Sequence, residues 1–368
     1  MKKQLCTLQI NLYNKNNLIP KSLGFALLLV AVFILMAILV GCNSRNMQSN
    51  SSMSILSVST SGTIETSPTF SGPPGSPGSG GNLPKVYMTT NITPAGLMAV
   101  YEALGRNPTG RVAVKIHTGE PGNKHFVNPN LIRNLVQKIN GTFIETNTAY
   151  GGRRASAALH MQVARDHGFA AVAPVVILDE RGDISLPVRG KHLRESLVGS
   201  RFNEYDFHVV ISHFKGHGMG GFGGALKNVS IGYASARGKL LIHSAGATSA
   251  RWASAPQNNF VESMAEAAKA VLDAAGSNNF IYINVLNHLS VDCDCVGSPA
   301  TPQMADIGIL ASLDPVALDM ASVDLIYAAP DGTALTRRIE SRNGAHILTH
   351  AEELGLGSKK YQLINIDA

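Results

Sequence analysis

Cysteine is scarce in this sequence, and its scarcity excludes a fold held together by disulfides. Of four cysteines in 368 residues, Cys6 lies before an apolar N-terminal run and Cys42 lies just after it, and Cys293 and Cys295 lie in the part that we expect to fold. Small exported domains that depend on disulfides carry many more. The chain also lacks a C-x2-C-x2-C run, so we expect no integral iron–sulfur cluster, which usually takes four cysteines.

Charged residues are also few, at 15% of the chain, whereas 45% of the residues are hydrophobic. This composition is typical of a globular protein that buries a large core. The formal net charge of +6 depends on four lysines at the N-terminus, and removal of residues 1–41 would lower it to +2 because that segment contains no acidic residue. The folded part therefore carries no basic surplus, and we expect no nucleic-acid binding.

The N-terminus has the features of a secretory signal. Lysines precede an uninterrupted apolar run, residues 23–40, which ends in Leu39-Val40-Gly41-Cys42. This ending resembles the bacterial lipobox, in which the signal is cut before a cysteine that then carries the lipid. We therefore expect a signal peptide at 1–41 and lipidation of Cys42, which would place the protein in the cell envelope, outside the cytoplasm and bound to a membrane. The alternative is an uncleaved membrane anchor with an incidental Cys42.

Residues 42–84 are rich in Ser, Thr, Gly, Pro and Asn, including SGPPGSPGSGGNLP. Such a segment buries too little apolar surface to offset its ordering entropy. We expect a flexible tether that separates the folded part from the membrane.

Residues 85–368 alternate predicted strands with predicted helices. The strands are 111–116, 142–145, 172–178, 206–212, 239–243, 280–286, 307–311 and 361–366, and the helices are 128–139, 155–167, 259–275, 315–327 and 345–354. This alternation predicts an α/β fold with a mostly parallel sheet and helices on both of its faces. A polar stretch predicts a boundary between two lobes near 179–205.

Polar side chains follow several of the predicted strands. They are His117, Glu145, Asn147, His213, Asn287 and His288. In open α/β sheets ligands bind outside the carboxyl ends of the strands. We therefore expect one cleft that collects these side chains.

A glycine-rich segment, FKGHGMGGFGGALKN, follows the predicted strand at 206–212. It is neither a Walker loop nor a dinucleotide fingerprint, since both spacings differ. Successive glycines allow backbone N–H groups to face a ligand, and Lys215 and Lys227 add positive charge, so the segment indicates a small anionic ligand such as a carboxylate or a phosphate. The predicted binding set is Lys227, Asn228, Gly220, Gly221, Gly223 and Gly224. The alternative is a glycine flap with solvated lysines.

Two histidines and two cysteines are candidates for acid–base catalysis, metal binding or redox chemistry. His213 and His217 flank Lys215, and all three are candidate catalytic residues, with histidine as a general base. Cys293 and Cys295 are separated by one residue, so with the two histidines they form a candidate site for a transition metal, or they act as redox thiols with a redox partner. A simple disulfide and two inert thiols remain alternatives. A serine nucleophile is not expected, because no GxSxG elbow occurs.

The strings GHGMGGFGGALKNVSIG, VDCDC and DIGILASLDPVALDMASVDLI resemble the family called domain of unknown function 362, over residues 85–368. The resemblance implies an α/β fold and a redox or metal-linked role. Many members carry a ferredoxin-type cysteine cluster, which this chain lacks. The general plan is also similar to that of nickel-dependent lactate racemases.

Together these features predict an exported, lipid-anchored protein that acts on a small anionic molecule by metal-linked or redox chemistry. The alternative function is a lipoprotein that binds the ligand without catalysis.

Overall fold

A computed structural model describes residues 83–367. The predicted signal peptide, Cys42 and nearly all of the predicted tether lie outside these residues. Between residues 83 and 367, none of the helices has the length and apolar character needed to cross a membrane.

The first part of the chain alternates strands and helices. Its elements are β1 (Lys85–Thr89), α1 (Pro94–Ala103), β2 (Val112–Lys115), α2 (Pro129–Lys138), β3 (Thr142–Glu145), α3 (Ala157–Asp166) and β4 (Val175–Ile177). Next come β5 (Asp183–Pro187), β6 (Glu195–Gly199), β7 (Phe207–His213), β8 (Lys215–His217), β9 (Gly221–Gly223), α4 (Ala225–Ser230) and α5 (Ala236–His243). The last are α6 (Gln257–Ala275), β10 (Phe280–Leu286), β11 (Gly308–Ser312), α7 (Pro315–Ala328), α8 (Thr333–Ser341), α9 (His346–Glu353) and β12 (Gln362–Asn365).

Eight strands form the main sheet, in the order β12-β1-β11-β10-β7-β2-β3-β4. Strand β11 is antiparallel to both of its neighbours, and the other strand pairs are parallel. The predicted α/β fold with a mostly parallel sheet is therefore confirmed. Strands β5 and β6 form a separate hairpin, as do β8 and β9.

Helices cover both faces of the sheet because the central strands are apolar on both sides. In β10, Ile281 and Ile283 pack in one core with apolar residues of α1, α2 and α3. Phe280 and Tyr282, which point to the opposite face, pack in a second core with residues of α4, α6 and α7. The two cores fix the positions of the strands, and therefore of the loops that follow them.

Helix starts follow the capping signals in the sequence. The side chain of Asn128 accepts a hydrogen bond from the Asn130 N–H, and Pro129 is the first residue of α2. Asp314 accepts hydrogen bonds from the N–H groups of Val316 and Ala317 at the start of α7. Both helices begin where the sequence predicts them.

The predicted strand at 239–243 is wrong, because these residues form the end of helix α5. Its start is capped by the Ser235 hydroxyl, which accepts a hydrogen bond from the Gly238 N–H. A short apolar run does not distinguish a buried strand from a buried helix.

Residues 179–205, where a lobe boundary was predicted, contain the β5–β6 hairpin. Strand β6 packs against α5 and α6. Val198 of β6 also forms a β-bridge with Ala234, just before α5.

Candidate functional site

A cavity of about 300 Å³ lies where the polypeptide leaves β2, β3 and β7. His117, Glu145 and His213 line it, as the strand-end rule predicts. The cavity lining does not include Asn147, Asn287 or His288. The remaining walls come from the β8–β9 hairpin, helix α4, the loop after α5 and residues 292–296.

The hairpin and the cysteine loop form one wall because their backbones are hydrogen-bonded to each other. The Phe214 N–H donates to the Val285 carbonyl at 3.0 Å, and the Gly216 N–H donates to the Ser290 carbonyl at 2.8 Å. Segments that are more than 70 residues apart in sequence are therefore neighbours at this opening.

Asp294, between the two cysteines, binds both His213 and Lys215. Its carboxylate lies 2.8 Å from His213 Nδ1 and 2.8 Å from Lys215 Nζ, and all three side chains are buried. Burial alone would raise the pKa of Asp294, but the charges of His213 and Lys215 hold it well below its usual range.

His213 has no free nitrogen lone pair in this arrangement. Its Nδ1 faces the Asp294 carboxylate, and its Nε2 lies 2.7 Å from the Asn287 carbonyl. Both neighbours only accept hydrogen bonds, so both ring nitrogens carry a hydrogen. In this geometry His213 acts as a cationic anchor of the cysteine loop.

A second buried ion cluster surrounds Glu145, which also lines the cavity. Its carboxylate accepts from Lys115 Nζ at 2.8 Å and from the Thr118 N–H at 3.0 Å, and Arg154 lies 3.7 Å away. Burial by itself would raise the pKa of Glu145, but Lys115 and nearby histidines hold it well below its usual range. Arg154 also donates to Glu120 at 2.9 Å, so both cations of this cluster have carboxylate partners.

Lys227 differs from these cations because no acceptor among residues 83–367 forms a hydrogen bond or ion pair with its Nζ. The side chain lines the cavity and runs past Gly223. Burial, together with the charges of Lys115 and Arg154, lowers the pKa of Lys227 to about 8. An ammonium group in this position can bind an anion.

Helix α4, which carries Lys227, is held at its start by Asp319. The Asp319 carboxylate accepts from the N–H groups of Ala225 at 2.7 Å and Leu226 at 2.9 Å, and from Asn284 Nδ2 at 2.8 Å. Burial raises the pKa of Asp319 to about 6. A side chain on Gly224 would collide with this carboxylate, so glycine is required there.

The predicted glycine ligands divide into two pairs. Gly223 and Gly224 line the cavity, whereas the lining does not include Gly220 or Gly221. Gly221 has a φ of +81° at the hairpin turn, and a side chain there would collide with Gly344. Asn228 lines the cavity and donates to the Ile211 carbonyl and the Ser212 hydroxyl, both at 3.1 Å.

The two cysteines lie at the cavity wall as a disulfide. One ring nitrogen of His217 and the two Sγ atoms lie within 4.8 Å of one another. The Cys295 N–H donates to Cys293 Sγ at 3.3 Å, and Cys295 is the more exposed of the two residues. The structure thus brings His217 and both cysteines together, whereas His213 is not part of this three-residue group.

His217 is held in one orientation by the hairpin backbone. Its Nδ1 accepts hydrogen bonds from the Gly220 N–H at 2.8 Å and the Met219 N–H at 3.3 Å. In the neutral ring the other nitrogen, Nε2, therefore carries the hydrogen. Burial keeps the ring neutral by lowering the pKa of His217 well below its usual value, and Lys227 contributes in the same direction.

Several side chains of the site were not in the predicted set. They are Lys115, Lys239 and Trp252; Arg154 and His243 also line the cavity. A lysine within the apolar strand RVAVKI is an available signal, because lysine is almost never buried without a function or a partner. For Lys239 the signal was obscured by the wrong assignment of its segment as a strand.

A family model described as "Domain of unknown function (DUF362)" matches residues 112–324. No curated protein matches the chain.

Two solved structures are similar at low identity. The lactate racemase apoprotein from Thermoanaerobacterium thermosaccharolyticum is 12% identical with a TM-score of 0.39, and the match covers 65% of this chain and 56% of that chain. A protein from Thermotoga maritima is 13% identical with a TM-score of 0.35, and the match covers 71% of this chain and 58% of that chain. The match thus covers less than two thirds of the length of each of these two matched chains.

Proposed function

The chain belongs to the DUF362 family, and we propose that it is an exported, lipid-anchored enzyme that binds a small anionic molecule and acts on it by redox chemistry. The anion would bind in the cavity at Lys227, and Cys293 and Cys295 would carry the electrons. The observation that carries the proposal is the position of Lys227, a cation that faces the cavity without an acceptor among residues 83–367.

The charge balance of the lining supports an anionic ligand. Five lysine or arginine side chains and three carboxylates line the cavity: Lys115, Arg154, Lys215, Lys227 and Lys239 against Glu145, Asp292 and Asp294. Lys239 Nζ is bound by neutral oxygens of Thr146, Asn147 and Ala234, so its charge also has no carboxylate partner. A carboxylate or phosphate would neutralise this surplus.

The cysteine pair supports a two-electron step. Two thiols that close to a disulfide release two electrons and two protons, which a bound substrate with a reducible double bond would take up. A dithiol redox partner would then reopen the disulfide by exchange at the more exposed Cys295. The N–H directed at Cys293 Sγ stabilises a thiolate on that sulfur.

A metal centre is the second candidate, favoured by the clustering of His217, Cys293 and Cys295. Two thiolates and one imidazole are suitable ligands for zinc, with distances of about 2.0–2.3 Å. The ligands would form only after reduction of the disulfide. Two backbone N–H groups occupy His217 Nδ1, which leaves the hydrogen on Nε2 and disfavours metal binding through Nε2. The thiol–disulfide couple is therefore the leading proposal.

Export and lipid anchoring rest on the N-terminal sequence, which ends in the lipobox-like LVGC at residues 39–42. A disulfide at Cys293 and Cys295 is consistent with a compartment outside the cytoplasm, since cytosolic thiols are kept reduced.

Replacing Lys227 with methionine is expected to weaken benzoate binding by about 10-fold to 100-fold, because a hydrogen bond to a charged group is lost. The chain contains one tryptophan, Trp252, which lines the cavity, so its fluorescence reports binding directly. Titration of benzoate into the detergent-solubilised full-length protein measures the affinity.

The matched control is Lys269→Met, which removes a lysine of helix α6 that pairs with Asp273 outside the cavity. This variant should bind benzoate as the wild type does. Equal loss in both lysine variants, or no saturable binding by the wild type, would show that Lys227 is not the anion-binding group.

A further inference from the structure

We infer that the cavity takes an amphipathic anion, in which a carboxylate or phosphate is attached to a flat apolar group such as an aromatic ring. This inference rests on the proposed binding of an anion at Lys227 and specifies the class of ligand. It depends on the arrangement of charged and apolar residues around the cavity.

The cationic side chains of the lining are buried to different degrees. Lys115 is 1% exposed, Arg154 is 3% exposed and Lys239 is 9% exposed, so these are the inner cations, whereas Lys227 is partly buried. An anionic group bound at Lys227 would lie near the inner cations, where the low effective dielectric strengthens its interaction with their charges.

The mouth of the cavity is apolar. In the part of the chain that the structure describes, eight large hydrophobic residues are exposed, and three of them line this one cavity: Tyr150, Trp252 and Val296. Trp252 is 47% exposed and Tyr150 is 44% exposed. A concentration of exposed apolar side chains around an opening is typical of a ligand site.

One wall of the cavity consists of three packed rings. The His243 ring centroid lies 4.7 Å from that of Trp252 and 4.6 Å from that of Phe260; the planes of His243 and Phe260 differ by 14°, and the Trp252 ring is tilted by 37° to His243. Burial, together with the charges of Lys227 and Lys239, lowers the pKa of His243 to about 4, so the ring is neutral at pH 7. The wall therefore offers an uncharged surface that ends in the exposed face of Trp252.

A fully polar anion would neutralise the lysines and leave this surface in water. A ligand with a planar apolar group would cover it and gain the free energy of apolar burial. Its anionic group would reach the inner cations while its ring contacts Trp252 at the mouth. The same arrangement gives discrimination against small polar anions that are abundant in solution.

The test compares phenyl phosphate with methyl phosphate, which carry the same anionic group and differ in the apolar part. Calorimetric titration of the detergent-solubilised full-length protein should give an affinity for phenyl phosphate that is about tenfold higher or more. Equal affinities would overturn the inference while leaving anion binding at Lys227 intact. If neither compound binds, both this inference and the proposed function fail.

Variants of the cavity test separately the contacts of the apolar group and of the anionic group of the ligand. Trp252→Ala should reduce the affinity for phenyl phosphate by about fivefold to tenfold, and by a larger factor than the affinity for methyl phosphate. Lys227→Met should weaken both compounds. Tyr327→Ala, which removes an aromatic residue that is 44% exposed and does not line the cavity, should change neither. An equal effect of Trp252→Ala on both compounds would overturn the inference.

Discussion

Replacing Asp294 with asparagine is expected to lower the free energy of unfolding by about 3–5 kcal/mol, because it leaves two buried cations without a counter-charge. The side chain of Asp294 is 5% exposed, and those of His213 and Lys215 are 2% and 1% exposed. Only the oxygen of an asparagine amide accepts hydrogen bonds, so the two atoms that face His213 and Lys215 cannot both be acceptors. Urea denaturation at neutral pH measures the loss.

The control for this variant is Asp273→Asn, which breaks a surface ion pair with Lys269 in helix α6. Exposed pairs contribute about 0–1 kcal/mol, so this variant should unfold almost as the wild type does. If Asp294→Asn is no less stable than Asp273→Asn, the buried cluster does not hold the cysteine loop.

The effect of Asp294 on stability should also depend on pH. Its folded-state pKa lies below that of the unfolded chain. Its contribution is therefore complete above the unfolded value of about 4 and is lost as the pH falls through the folded value. The difference in stability between the wild type and Asp294→Asn should shrink in acid.

Under oxidising conditions, Cys293 and Cys295 are expected to resist alkylation completely, and both should be alkylated after treatment with dithiothreitol. The reason is that their Sγ atoms form a disulfide, which has no free thiol until it is reduced. Mass spectrometry of the proteolytic peptide that carries both residues counts the modified thiols. In Cys293→Ser the remaining Cys295 should be alkylated without reductant, since it is half-buried and has lost its partner.

The same alkylation measurement distinguishes a metal centre from a thiol–disulfide couple. Thiolates that bind zinc would stay protected after reduction and become reactive when a chelator is added. Two thiols that are free in the oxidised protein, without reductant or chelator, would contradict both the redox couple and the metal centre.

The sequence predicted the parts of the fold that depend on local signals. The helices predicted at 128–139 and 315–327 are present as α2 and α7, and the apolar runs place β7 and β10. It could not give the order of the strands or the antiparallel direction of β11, because these depend on pairings between distant segments. The run KLLIH was misread because it is too short for its period to be recognised.

For the site, the sequence indicated the segments better than the role of each residue. The strand-end rule placed His117, Glu145 and His213 at one opening, and the glycine segment pointed to Lys227. The two acceptors around His213 were not predictable, since one lies on a loop 81 residues further along the chain. Likewise, the sequence does not distinguish the glycines that are needed for packing of the β8–β9 hairpin from those that line the cavity.

The pH dependence of benzoate binding tests the central claim, that Lys227 holds the anion, most directly. Benzoate stays ionised throughout, so its affinity should fall as the pH rises through about 8, where Lys227 loses its charge. A smaller decline near pH 7 reflects Lys239, whose pKa is lowered to about 7 by burial.

In Lys227→Arg the guanidinium stays charged over this range, so the decline through pH 8 should disappear while the smaller decline near pH 7 remains. If the wild type and Lys227→Arg show the same profile through pH 8, the anion does not bind at Lys227.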